Sequence, residues 1–230
     1  MSRVNFKTIL DRYKAVGKSN VRLTQSSLFL TKPIDATKSA YQFDVLETQT
    51  STLLADEIRL NLNDDFIITH MGLYLQAELS APSEAIPAGV HQLFTYAPRE
   101  TNGVAGGKLQ NVYGGQLQIS VNNIVFLDKW DTRKHEFIPR TQMSSNNGLG
   151  TSFATLPSND FSKNAMYPIE PLLTLSGAKK NDIRLSLPTA ITAGIFTYTD
   201  DAGVLITATI SRIGLLLRGL NAQNASSFQK

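Results

Sequence analysis

Hydrophobic and polar residues alternate in short runs along this chain. Glu57-Ile58-Arg59-Leu60-Asn61-Leu62 and Asp182-Ile183-Arg184-Leu185-Ser186-Leu187 place an apolar side chain at every second position. Successive side chains of an extended backbone point to opposite faces, so this spacing predicts strands with one buried and one wet face. Runs of this kind predict strands at 21–31, 41–47, 57–63, 66–79, 91–96, 116–127, 134–138, 172–176, 182–187 and 203–220. Asn63-Asp64-Asp65 predicts a hairpin joining Ile58, Leu60 and Leu62 to Ile67, Thr69, Met71, Leu73 and Leu75, and the turn from Ser176 to Asn181 predicts a second, joining 172–175 to 183–187. Strands do not alternate with ten-residue helical patterns, which argues against a parallel α/β sheet and its nucleotide-binding folds. The expected class is all-β: an antiparallel β-sandwich.

Two ends of the chain depart from this pattern. Phe6, Ile9, Leu10 and Tyr13 fall at i, i+3, i+4 and i+7, the single apolar stripe of a short amphipathic helix or arm. Val204 to Leu220 is β-branched at its start and apolar on both parities near its end, as a central strand covered on both faces would be. Arg212 and Arg218 share one parity of that strand and are candidates for pairing with acids or for pointing into an interface. Between the strands, 140–168 is rich in Ser, Asn, Gly and Pro and predicts a long loop, as does the Gly-rich stretch 103–108 with Gly114-Gly115. The expected organisation is a basic arm at 1–18, a sandwich at 19–220 and a polar tail at 221–230.

Charge changes the picture at the first end only. The net charge of +3 is concentrated in residues 1–18, where Arg3, Lys7, Arg12, Lys14 and Lys18 face one acid, Asp11, and the body is nearly balanced. Such an arm can dock on its own domain, a partner, a membrane surface or nucleic acid. At 230 residues the chain can bury about 70% of its unfolded surface without staples. The absence of cysteine removes disulfides, thiolate metal sites and thiol nucleophiles, which suits a reducing compartment. No secretory signal and no apolar membrane span is expected.

Candidate chemistry is sparse. Gly107-Lys108 lacks the earlier glycine and the following Ser or Thr of a phosphate-cradling loop, since Asn102 and Leu109 stand there. His70, His91 and His135 have no metal-ligand spacing. Asp64-Asp65, Asp128 with Asp131, and Asp200-Asp201 could supply paired carboxylates, but each sits where Asp ordinarily caps a turn. No serine lies in a nucleophile elbow. The expectation is a noncatalytic protein with no cofactor, no metal site and no small-molecule substrate. Trp130, the single tryptophan, lies among charges and is a candidate interface anchor. With Tyr113 and nearby loops it also suits a lectin-like, carbohydrate-binding sandwich of a fibre or cell-surface protein. A β-sandwich hydrolase with two carboxylates is a third option.

The order of these features resembles that of viral jelly-roll structural proteins, phage capsid proteins in particular: a basic amphipathic arm, about eight to ten antiparallel strands, long polar loops and a short polar tail. The resemblance implies a jelly-roll-like sandwich and a virion protein, assembled in the host cytoplasm, that contacts copies of itself and other virion proteins. It also implies that Phe6, Ile9, Leu10 and Tyr13 form an assembly arm reaching a neighbour, an internal membrane or the genome, with Arg212, Arg218 and Trp130 as candidate interface residues. About ten strands are too few for a double jelly roll.

Overall fold

The computed structural model describes residues 6–18, 20–47, 56–79, 91–97, 106–137, 141–144, 152–155, 165–199 and 205–226. After a helix α1 (Phe6–Ala15), the chain forms β1 (Arg22–Pro33), β2 (Ala40–Phe43), β3 (Asp65–Leu79) and β4 (His91–Phe94). A helical turn α2 (Gly106–Leu109) and a 3-10 turn (Gln110–Gly114) lead to β5 (Gln116–Val121) and β6 (Ile124–Asp131). A second 3-10 turn (Thr132–His135) follows, then β7 (Thr141–Ser144), β8 (Ser152–Thr155), β9 (Met166–Ser176), β10 (Asn181–Ser186), β11 (Gly194–Thr199) and β12 (Leu205–Gln223).

Eight of these strands pair in nested order. β1 pairs with β12, β2 with β10, β3 with β9 and β5 with β6, all antiparallel. Alternate nested pairs fall into different sheets, and the ladders β12·β3 and β10·β5 join the pairs within each sheet. The result is two four-stranded sheets, β1-β12-β3-β9 and β2-β10-β5-β6, which is the jelly-roll winding. Beyond the sandwich, β4 continues the first sheet along the far half of β3, and β11 does so along the near half of β12. β7 and β8 form a separate two-stranded ladder.

The sheets pack through their apolar faces. In β10, Ile183 and Leu185 are buried while Arg184 and Ser186 face water, the period-two pattern in its simplest form. Leu30, Phe66, Ile68, Leu73, Leu75, Ile213, Leu215 and Leu217 of the first sheet join Phe43, Leu117, Ile119, Ile183 and Leu185 of the second in one cluster. Each such side chain contributes about 1.5–3 kcal/mol when withdrawn from water. Irregularities in the β3·β12 register, between Ile210 and Arg212 and between Arg218 and Gly219, keep this inward face continuous along two strands of unequal length. Arg212, Leu216, Arg218 and Leu220 therefore lie on the outward face.

Several sequence expectations need correction. Residues 57–63 are no strand: Ile58 bridges to Phe29 and Leu60 bridges in parallel to Leu46, so the segment crosses from one sheet to the other and covers the open edge beside β1. The hairpin to β3 does not form. The turn after Ser176 exists, held by the Asn181 side chain, yet β9 and β10 on either side of it belong to opposite sheets. The expected strand 116–127 is two strands broken at Asn122 and Asn123, both at positive φ (50° and 64°), which asparagine tolerates in a tight turn. Residues 132–135 form a 3-10 turn capped by Asp131, where a strand at 134–138 is expected. The Gly-rich stretch is helical from Gly106, and 140–168 contains β7, β8 and the start of β9. β12 runs past the expected tail boundary to Gln223, and Ala225 and Ser226 are buried.

Candidate functional site

The apolar stripe of α1 faces the protein's own domain. Ile9 is buried against Ile67 and Leu220 on the outward face of the first sheet, and Tyr13 packs near Leu23, Val21, Ala222 and Ala225. The Tyr13 hydroxyl donates to Asp65 Oδ2 at 3.3 Å. Burial, with the Asp65 charge and this bond behind it, pushes its pKa well up. Lys18 Nζ donates to the Ala225 carbonyl. Leu10 is half-buried and Phe6 exposed. The stripe is thus brought together, on the sheet that contains both terminal strands.

Arg212 and Arg218 have different surroundings despite their shared face. Arg212 donates to Thr31 Oγ1 at 2.9 and 3.3 Å. The backbone N–H of Thr31 in turn donates to Glu57 Oε1 at 3.4 Å, and Arg59 donates to the same oxygen at 3.0 and 3.1 Å. The arginine belongs to a polar cluster that seats the crossing segment on β1. Arg218 is exposed, opposite His70 on β3 and within electrostatic reach of Tyr74.

Trp130 marks the opposite lateral edge, where β6 of one sheet runs beside β9 of the other. Its indole N–H donates to His135 Nε2 at 2.9 Å, and His135 Nδ1 lies 3.1 Å from the Ala165 carbonyl oxygen. Those two contacts require a neutral imidazole carrying its proton on Nδ1. Tyr167 meets the imidazole edge-on at 5.7 Å, and Lys134 Nζ sits 4.0 Å from the Trp130 ring centroid. His135 is fully buried, and burial lowers its pKa to about 4, the Ala165 bond opposing and the Lys134 charge assisting. This latch joins the end of β6 to the start of β9. At the other end, Asn122 N–H donates to the Lys180 carbonyl and Asn122 Oδ1 accepts from Lys180 N–H.

Between these ties the edge exposes apolar side chains. Ile124 is 62% exposed, Val125 49% and Phe126 58% on β6, accompanied by Tyr167 and Leu172 on β9. Sequence reasoning missed this surface, because Ile124-Val125-Phe126-Leu127 reads as one more core run. Only Leu127 of the four packs on the core.

The acidic candidates have structural partners. Asp64 accepts from the Asn221 side chain and Asn224 N–H at 2.9 Å each, and Asp65 accepts from Ser226 and Tyr13. Asp128 accepts from Gln118 at 3.1 Å, and Asp131 caps the 3-10 turn through Arg133 N–H at 3.0 Å. The Arg133 bonds hold the Asp131 carboxyl below its usual range. Asp200 and Asp201 lie outside the described residues. Among the described residues no three metal-ligating side chains gather, and no helix is long and apolar enough to cross a membrane. Tyr113 is buried, its hydroxyl donating to the Phe94 carbonyl at 3.0 Å, which removes one of the two aromatics expected to stack on a glycan.

Comparison of the chain with protein-family models, curated proteins and solved structures finds no match.

Proposed function

We propose that this protein is a noncatalytic structural subunit that assembles with copies of itself, most concretely a capsid subunit of a phage virion. The observation that carries this reading is a jelly-roll sandwich whose β6 edge strand exposes three successive apolar side chains, Ile124, Val125 and Phe126. Polar groups with chemical potential, Asp64, Asp65, Asp131, Glu57 and His135, are occupied in holding the fold. Exposed apolar side chains in such number mark contact surfaces. Since one fold hosts many functions, the surface and not the winding bears the argument.

α1 exposes Lys7, Arg12 and Lys14, and Phe6 at its start is exposed as well. In a shell this basic, partly apolar helix suits contact with an internal membrane or the genome, and such contact would weaken with added salt. Sedimentation velocity and electron microscopy of the full chain across concentration test the main reading. Defined oligomers or closed particles are the expected outcome, and a monomer at every concentration in assembly-competent buffers refutes it.

A further inference from the structure

We infer that Trp130 and His135 form an acid-operated catch: when the imidazole takes a second proton, the indole is released from its place at the edge of the sandwich while the rest of the fold stays as it is. The inference is independent of the assembly reading above. The geometry by itself makes the contact conditional on a neutral ring. An indole N–H can only donate, and His135 Nε2 can receive it only through its lone pair. A proton on Nε2 occupies that lone pair and sets two N–H groups against each other. The bond to the Ala165 carbonyl survives, because Nδ1 is a donor in both states of the ring. Acid therefore acts on the Trp130 side of the imidazole.

The two partners are held with different firmness. His135 belongs to a 3-10 turn anchored by Thr132, whose N–H donates to the Gly115 carbonyl at 3.1 Å and whose hydroxyl accepts from the Gly115 N–H at 2.8 Å. Trp130 is half-buried on an edge strand, beside a slip in register and next to Lys129 at φ 49°. The indole is the partner that can move. Among the described residues, the charge acting on the imidazole is the Lys134 ammonium, of the same sign as an imidazolium. Tyr167 of β9 meets the ring edge-on, while Tyr74 of β3 and Tyr113 of the preceding 3-10 turn are kept neutral by burial. Elsewhere on the turn, Glu136 is bonded to Gln110, and Asp131 pairs with Arg133. Burial lowers the His135 pKa to about 4, against 6.5 for a ring in water. That difference favours the released arrangement over the closed one by about 100-fold more at pH 4 than at pH 7.

The test follows the full chain from pH 7 to pH 4 by the fluorescence of Trp130, its only tryptophan, with acrylamide as quencher and circular dichroism on the same samples. Emission should move to longer wavelength and quenching should rise several-fold while the β-sheet signal is unchanged. His135→Gln keeps an acceptor for the indole and cannot be protonated, so it should show neither change. Lys134→Gln, at an exposed position, removes the like charge and should move the transition to higher pH. It carries the test should His135→Gln fail to fold. Emission that holds constant until the sheet signal is lost overturns the inference, because the indole then leaves only with the whole fold. A fall in intensity without a shift in wavelength also overturns it, since the ring is then protonated with the indole in place. So does a transition that persists in His135→Gln or stays unmoved in Lys134→Gln.

Discussion

Acid should loosen the β6/β9 edge through His135, and the structure sets both the window and the size of the effect. The groups facing this imidazole are the Trp130 indole N–H, the Ala165 carbonyl, the Tyr167 ring and the Lys134 ammonium. A proton added at Nε2 turns the acceptor of the Trp130 bond into a donor and places a cation in an unsolvated site near Lys134. The folded pKa, about 4, lies below the ordinary value of 6.5. Between these values the unfolded chain binds the extra proton and the folded chain does not, so stability falls as pH falls. The contribution is full above pH ~6.5 and gone below pH ~4, and a change of that size in proton affinity is worth about 3 kcal/mol. Because Trp130 is the only tryptophan, its fluorescence reports this site during denaturant unfolding at a series of pH values. His135→Gln cannot acquire the charge, so the stability difference between wild type and variant should shrink by about 3 kcal/mol from pH 7 to pH 4. Other titrating groups cancel in that difference. A difference that stays flat across the window refutes the reasoning.

Two further substitutions test other parts of the fold. A methyl group added at Gly219 would run into the Ile67 carbonyl where the β3·β12 register is irregular, so Gly219→Ala should cost about 3 kcal/mol or leave the protein unfolded, and a wild-type denaturation midpoint would contradict this contact. Ile9→Ala should cost about 2 kcal/mol by removing the buried centre of α1, lowering the melting temperature by about 4–8 °C, and an unchanged melt would show that the helix does not hold the domain.

The strands were legible wherever one face is buried and the other wet. Ile183, Leu185 and their polar neighbours announce β10. Partnership was not legible, because period two says which face a residue joins and nothing about which strand lies beside it. Hence residues 57–62 alternate as a strand should, yet bridge two sheets. The Asn122-Asn123 break was available in principle, since two asparagines between apolar runs are a tight-turn signal. The latch at His135 was hidden for another reason. Trp130 is near in sequence, but Ala165 and Tyr167 come from across the fold, so no local spacing encodes the site. The exposed triplet Ile124-Val125-Phe126 was the hardest case, since an apolar run is read as core until its strand is known to be an edge.

The nested pairing also decides which end of the molecule each device can serve. β1 and β12 are partners, so a helix leading into β1 emerges beside Leu220, and an apolar stripe at 6–13 has a surface ready within its own chain. Among the described residues no later strand pairs with the outer member of the innermost pair, β5·β6, so β6 is an edge of its sheet, on the side away from β1. Perturbations at the two places should therefore act on different quantities. Ile9→Ala removes packing within one chain and should lower stability while leaving association per folded molecule intact. Phe126→Asp changes a side chain already in water and should leave stability intact. A roll wound in this way puts β1, the strand that follows α1, and its innermost hairpin at opposite edges, so the two substitutions probe separate parts of the fold.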